Sequence, residues 1–125
     1  MQSFTMKITQ DLVISSNRRA ETWLRKRVKD ALKPQAHTLG LSLAPMGKAT
    51  IYVGITKRTR GKYDPVSLSD TFKPVIDGLV TAGVLDDDDY EHVLGPFCFH
   101  QGVDKSLVKS IGATVYLTEY SPTPF

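Results

Sequence analysis

The sequence predicts a single α+β domain, a mixed β-sheet of about four to five strands packed with two main helices. Three observations predict it. A chain of 125 residues is long enough for one domain with a real core and too short for two. Ala113, Val115 and Leu117 alternate with Thr114, Tyr116 and Thr118, the period-two pattern of a half-buried strand, while residues 49–56 (ATIYVGIT) carry the β-branched and aromatic content of a central one. Residues 18–39 and 71–82 instead space their apolar side chains as helices do.

In chain order, Phe4, Met6 and Ile8 alternate with polar residues ahead of Leu12-Val13-Ile14, so residues 4–15 read as a first strand, in two pieces if Gln10-Asp11 breaks it. Ser15-Ser16-Asn17 supplies caps for a helix from about Arg18 to Leu39. Leu24, Val28, Ala31 and Leu32 give it a core stripe, and Pro34 should kink or end it. Residues 40–46 read as a connection to the 49–56 strand. After that strand comes a basic loop, Lys57-Arg58-Thr59-Arg60-Gly61-Lys62, leading directly to Asp64.

The second helix has Thr71 as its most compatible cap, because Pro74 then falls in the first turn, where its missing N–H does no harm. Gly83 suits the left-handed residue past its end. With Phe72 at zero on a helical wheel, Val75, Ile76, Leu79 and Val80 fall within about 80° of it, whereas Asp70, Lys73 and Asp77 cluster at roughly 100–160°. Two carboxylates and an ammonium therefore share a face that the core does not claim. Four aspartates, Asp86 to Asp89, follow; such a run cannot be a buried strand, and its charges repel unless a cation sits among them. Residues 93–100 and 111–120 read as the last strands, and residues 121–125 as a frayed tail.

The net charge of +3 hides an asymmetry. Residues 1–62 hold thirteen Lys and Arg against three acids, a balance of +10, and residues 63–125 hold three against ten, a balance of −7. A basic half for phosphates and an acidic half for metal ions suits a nuclease, although two halves can also simply neutralise each other across a fold. Arg18, Arg19, Arg25, Lys26 and Lys29 of the first helix, with Lys57, Arg58, Arg60 and Lys62 of the loop, are the candidate phosphate contacts. Trp23 suits either stacking on an unpaired base or an ordinary core or interface position.

Several classes are disfavoured. No apolar run approaches the ~18 residues of a membrane span, and the opening lacks a signal pattern, so a cytoplasmic protein without a membrane partner is expected. The single cysteine, Cys98, lies in the run Pro96-Phe97-Cys98-Phe99 and reads as a buried, inert thiol. His37, His92 and His100 have no zinc-like spacing. Neither a Gly-rich phosphate loop nor a nucleophile elbow is present.

The segment Lys73-Pro-x-x-Asp77-Gly-Leu-x-x-Ala-Gly-Val-Leu85, with the aspartate run and His92-Val93 behind it, resembles the RusA family of Holliday-junction resolvases, particularly versions carried by phages of actinobacteria. Upstream, Ser16-Asn17-Arg18-Arg19 and Trp23 are similar to that family's Asn-x-Arg…Trp opening. The resemblance implies a homodimer that uses a divalent metal, magnesium with manganese as an alternative, to hydrolyse phosphodiesters at four-way DNA junctions. The family's metal pattern is Asp-x-Asp-Asn-x-x-Lys, a helical Asp and a later Asp-Asp pair. Asp64 matches its first aspartate, Lys73 its lysine, Asp77 the helical aspartate, and Asp87-Asp88 the pair. Val66 and Ser67 stand where the family has its second Asp and its Asn, and Lys73 follows Ser67 by six positions where the family has three. Either Asp70 supplies the missing carboxylate or the site is weakened.

The expected function is therefore magnesium-dependent cleavage of four-way junctions in recombination or repair. Asp64, Asp70, Asp77, Asp87 and Asp88 are its candidate ligands, and Lys73 is a phosphate ligand or transition-state cation. A branched-DNA-binding protein that has lost cleavage, and a protein-interaction module with an acidic docking segment, are the alternatives.

Overall fold

The computed structural model describes residues 1–15 and 21–122. Its elements are strand β1 (Gln2–Thr9), helix α1 (Thr22–Gly40), strand β2 (Ala49–Lys57), helix α2 (Lys73–Thr81), strand β3 (Val93–Val103) and strand β4 (Ser110–Thr118), with 3-10 segments at Gln10–Leu12 and Pro65–Phe72. The four strands form one mixed sheet in the order β1-β4-β2-β3. β4 runs antiparallel to both β1 and β2, and β2 and β3 are parallel. This is the α+β architecture that the alternation and the two helical stripes predict.

One face of the sheet meets the helices. Met6, Ile8, Ile51, Val53, Ile55, Ile111, Ala113, Val115 and Leu117 point to it and join Val28, Leu32, Phe72, Val75 and Leu79 in one buried cluster. The apolar stripe of the second helix holds, with Phe72, Val75, Ile76 and Leu79 buried, and Lys73 and Asp77 share the uncovered face, but Asp70 does not join them because it belongs to the preceding 3-10 segment. Gly78 lets α2 lie against α1, since a Cβ there would sit 2.5 Å from the Lys33 carbonyl and 2.7 Å from the Ala36 Cβ. Gly83 takes the expected left-handed conformation, with φ of 81°.

Five expectations change. The first strand ends at Thr9, opposite Ser110, and one more bond, from Gln10 N–H to Lys109 C=O at 2.9 Å, closes the pairing where Lys109 turns into the left-handed region with φ of 51°. Gln10–Leu12 turns away instead, and the Ile14 backbone finds its partner in a side chain: Thr71 Oγ1 accepts from Ile14 N–H and donates to Ile14 C=O, both at 2.8 Å. That use of the Thr71 hydroxyl also moves the cap. α2 starts at Lys73 with Phe72 as its N-cap residue, while Asp64 caps the preceding 3-10 segment by accepting from Val66 N–H at 3.1 Å. The first helix has Glu21 at its N-cap, and the expected caps Ser16 and Asn17 lie outside the described residues. Pro34 does not end it. The helix continues past it to Gly40, with Ala36 and Gly40 buried, despite the ~3 kcal/mol that an interior proline costs. β3 runs on through Gln101–Val103, which the sequence suggests is a connection.

Candidate functional site

Lys73 begins α2 and Asp77 stands one turn later on the same face, so their meeting is fixed by helical geometry. Lys73 Nζ donates to Asp77 Oδ1 at 2.9 Å. It also donates to Asp88 Oδ2, which arrives from the acidic loop after the helix. One ammonium is thus shared by two carboxylates from separate parts of the chain. Burial lowers the affinity of Lys73 for its proton, but hydrogen bonds and charge from Asp88 and Asp77 outweigh it, and the net pKa lies above the ordinary 10.5. The Lys73 hydrogen bond and charge, aided by Asp87, hold the Asp88 carboxyl below its ordinary 3.8.

Three of the four aspartate carboxylates in the loop, Asp87, Asp88 and Asp89, find hydrogen-bond donors. Asp87 Oδ1 accepts from Asp88 N–H at 2.7 Å, which holds the Asp87 carboxylate against the backbone. Asp89 Oδ1 accepts from Glu91 N–H at 3.0 Å and pairs with His92 Nδ1 at 2.5 Å. The hydrogen bond to Asp89 raises the His92 pKa above 6.5, and the same bond lowers that of Asp89. Asp86 N–H donates to Gly47 C=O at 2.9 Å.

The remaining candidates are placed apart from this ammonium. Asp70 belongs to the 3-10 segment and not to α2, and its carboxylate lies 3.7 Å from Arg25 of α1. Asp64 is engaged with Val66 N–H, and Ser67 is turned inward, donating its hydroxyl to Asp64 C=O at 2.7 Å. Val66 is exposed. Among the described residues, no three His, Cys, Asp or Glu side chains are gathered to hold a metal ion. The donor set still fits one kind of magnesium site. Asp77 and Asp88 already converge on a single cation, the ammonium, and magnesium commonly takes one or two carboxylates with phosphate oxygens and water completing its octahedron. A site built wholly from protein carboxylates does not fit.

Basic side chains occupy two regions. On α1, Arg25 faces Asp70, Lys26 reaches Asp30 at 2.6 Å and Arg27 reaches Asp11 at 2.5 Å, so acids hold much of that face. Lys29 is exposed, and Arg18 and Arg19 lie outside the described residues. In the loop after β2, Arg58 and Arg60 line a cleft of about 360 Å³ with Thr59, Val103 and Lys105. Arg60 and Lys62 line a second, of about 420 Å³, with Tyr63, Pro65 and His100. Tyr63 Oη lies 2.6 Å from His100 Nδ1, and Lys57 Nζ stands 5.0 Å above the Tyr63 ring. Cys98 is the buried thiol expected, and burial pushes its pKa up. Trp23 is 60% exposed, so it is not a core residue of the described chain.

Two pairings escape a reading by motif. Asp89 and His92 have the i,i+3 spacing that could have signalled theirs, whereas nothing local announces Tyr63 with His100, which are 37 positions apart. No protein-family model and no curated protein matches the chain. The likeness to RusA resolvases therefore rests on the residues quoted for it. No helix among the described residues is long and apolar enough to cross a membrane.

Proposed function

We propose that the chain is a magnesium-dependent endodeoxyribonuclease acting on four-way DNA junctions in recombination, as the resemblance to RusA resolvases implies, and working as a two-fold dimer on two strands. The observation that carries this reading is the ammonium of Lys73 shared by Asp77 and Asp88. All three match the family pattern, and two of them are 15 residues apart in the chain.

Asp77 and Asp88 are the residues that would hold magnesium, which when bound neutralises phosphate charge and lowers the pKa of its water. Asp87, next to Asp88, holds its carboxylate on the Asp88 backbone N–H. Lys73, 57% exposed and on a flexible stem, can turn from the carboxylates to an oxygen of the scissile phosphate and keep its proton there as a positive charge. Arg58, Arg60 and Lys62, on a loop that ends at Asp64, supply cations for neighbouring phosphates without reading sequence. Asp64 and Asp70 remain candidates for a ligand role only if DNA binding releases them from Val66 and Arg25.

The test is cleavage of a labelled synthetic four-way junction against a matched linear duplex, with Mg²⁺ or with EDTA. Paired nicks confined to the junction and to Mg²⁺ are expected. The lack of a third converging carboxylate among the described residues favours one other reading, a junction-binding relative without cleavage. Tight binding without nicks in either condition would establish that reading instead.

A further inference from the structure

The face of the sheet turned away from the helices is laid out in register. Phe97 of β3, Tyr52 of β2 and Tyr116 of β4 are cross-strand partners in one row. Phe99, Gly54 and Thr114 form the next row, and Thr56 and Gly112, with Lys7 of β1 beyond, form a third. Partners directly opposite share a face, so the rings stand together. Tyr52 and Phe97 have centroids 5.7 Å apart, and Phe99 stacks on Tyr116 at 6.3 Å with 29° between planes. Tyr52, Phe97 and Phe99 are 41%, 50% and 40% exposed, and no described element covers them.

Their surroundings are polar. Tyr116 Oη donates to Gln101 Oε1 at 2.8 Å, and Gln101 Nε2 donates to Thr114 Oγ1 at 3.3 Å. Gln101 is the extra residue of the β2–β3 bulge and lies over Gly54, where a Cβ would be 2.0 Å from its Oε1 and 3.0 Å from the Phe99 ring. At the end of the sheet where β1, β2 and β3 finish, Lys7, Arg58, Arg60, Lys105 and Lys109 gather, and Arg58, Arg60 and Lys105 line the cleft described above. The acid of that turn, Asp104, accepts from Ser106 N–H and Oγ at 2.9 and 2.7 Å and keeps a negative charge that offsets Lys7 in part, leaving the cations in excess.

We propose that this open face is a stacking platform for an unpaired nucleic-acid strand, its bases on Tyr52, Phe97, Phe99 and Tyr116 and its phosphates leading to the cations at the strand ends. Rings interleaved with hydroxyl and amide groups suit bases, which present flat apolar faces and hydrogen-bonding edges. The cations suit a polyanion whose phosphates repeat along the strand; a second copy could meet them only with carboxylates of its acidic half, and sedimentation in the experiment below separates the two. Tyr52 to Arg58 spans about 20 Å along β2, a distance a strand of a few nucleotides covers. The inference needs no cleavage chemistry and stands apart from the carboxylate site.

The experiment is fluorescence anisotropy with a labelled oligothymidine and with a matched blunt duplex, using the full chain and the Phe97→Ala/Phe99→Ala double variant. Native protein should bind oligothymidine, and the double variant should lose at least about tenfold while still unfolding cooperatively in urea. Duplex binding should change less than oligothymidine binding in the double variant. Absence of oligothymidine binding by the native chain, or equal binding by the double variant, would overturn the proposal. So would a double variant that dissociates a native dimer in sedimentation while still binding oligothymidine, since the face would then be a contact between copies. Junction cleavage plays no part in these readouts, so a failed resolvase leaves them interpretable.

Discussion

Lys73 makes two ion pairs, yet it is an unpromising source of stability. An exposed i,i+4 pair contributes about 0.3–0.5 kcal/mol, and Lys73 is more than half exposed. Lys73→Ala should therefore lower the urea-derived stability by less than about 1 kcal/mol; a larger loss would assign the cluster to folding instead of function. His92 makes a second residue-level prediction. Its pKa, followed by NMR of the ring protons, should lie above 6.5, and Asp89→Asn should return it toward that value. The folded His92 holds its proton more tightly, so its contribution is complete below 6.5 and disappears as pH rises through the raised value. Asp89 is displaced the other way, so its contribution is present above 3.8 and disappears as pH falls through the lowered one. The pair is therefore fully formed between those two ordinary values, and a His92 titrating at or below 6.5 would contradict it. The Lys73–Asp77 contact was legible in the sequence because helical spacing determines it; Asp88 was legible only through the family likeness, because a loop brings it back.

The contact between α1 and α2 depends on the absence of a side chain at Gly78. Gly78→Ala must displace the Lys33 carbonyl or the Ala36 methyl, neither of which is the loose end of a flexible chain. Overpacking of this kind costs about 1–3 kcal/mol, to be read as a lower urea midpoint; an unchanged midpoint would mean the helices separate freely. Thr71 ties the segment after β1 to the start of α2. Thr71→Val keeps the shape but orphans the Ile14 N–H and C=O, at about 1–3 kcal/mol for each group left unsatisfied. Faster hydrogen exchange at the Ile14 amide would accompany that loss. These two elements also mark the boundary of sequence reasoning. The stripe of α2 follows from periodicity, but the capping role expected of Thr71 is displaced by a backbone 57 positions away, which no local pattern reveals. Asp70 leaves the Lys73 face for a related reason: Pro65–Phe72 is a separate 3-10 segment, so the wheel of α2 does not extend to it.

For the whole molecule, the basic first half is less available to DNA than its balance of charge suggests. Asp11, Asp30 and Asp70 face cations of α1, so the loop cations should dominate phosphate binding. Combined Arg58→Ala and Arg60→Ala substitutions should flatten the dependence of junction affinity on salt by nearly two units of logarithmic slope; an unchanged slope would return the main contact to α1. The fold class was readable because alternation and helical stripes are local signals. The open aromatic face was readable only in fragments, as Tyr52 among buried neighbours and as Phe97 and Phe99 flanking Cys98, until strand order set them side by side. The measurement that bears most directly on the central claim is single-turnover cleavage of a four-way junction in Mg²⁺ by the native chain, Asp77→Asn and Asp88→Asn, with urea midpoints alongside. Each substitution should reduce the rate at least about a hundredfold while the midpoint scarcely moves. Native-like cleavage by either variant would contradict it.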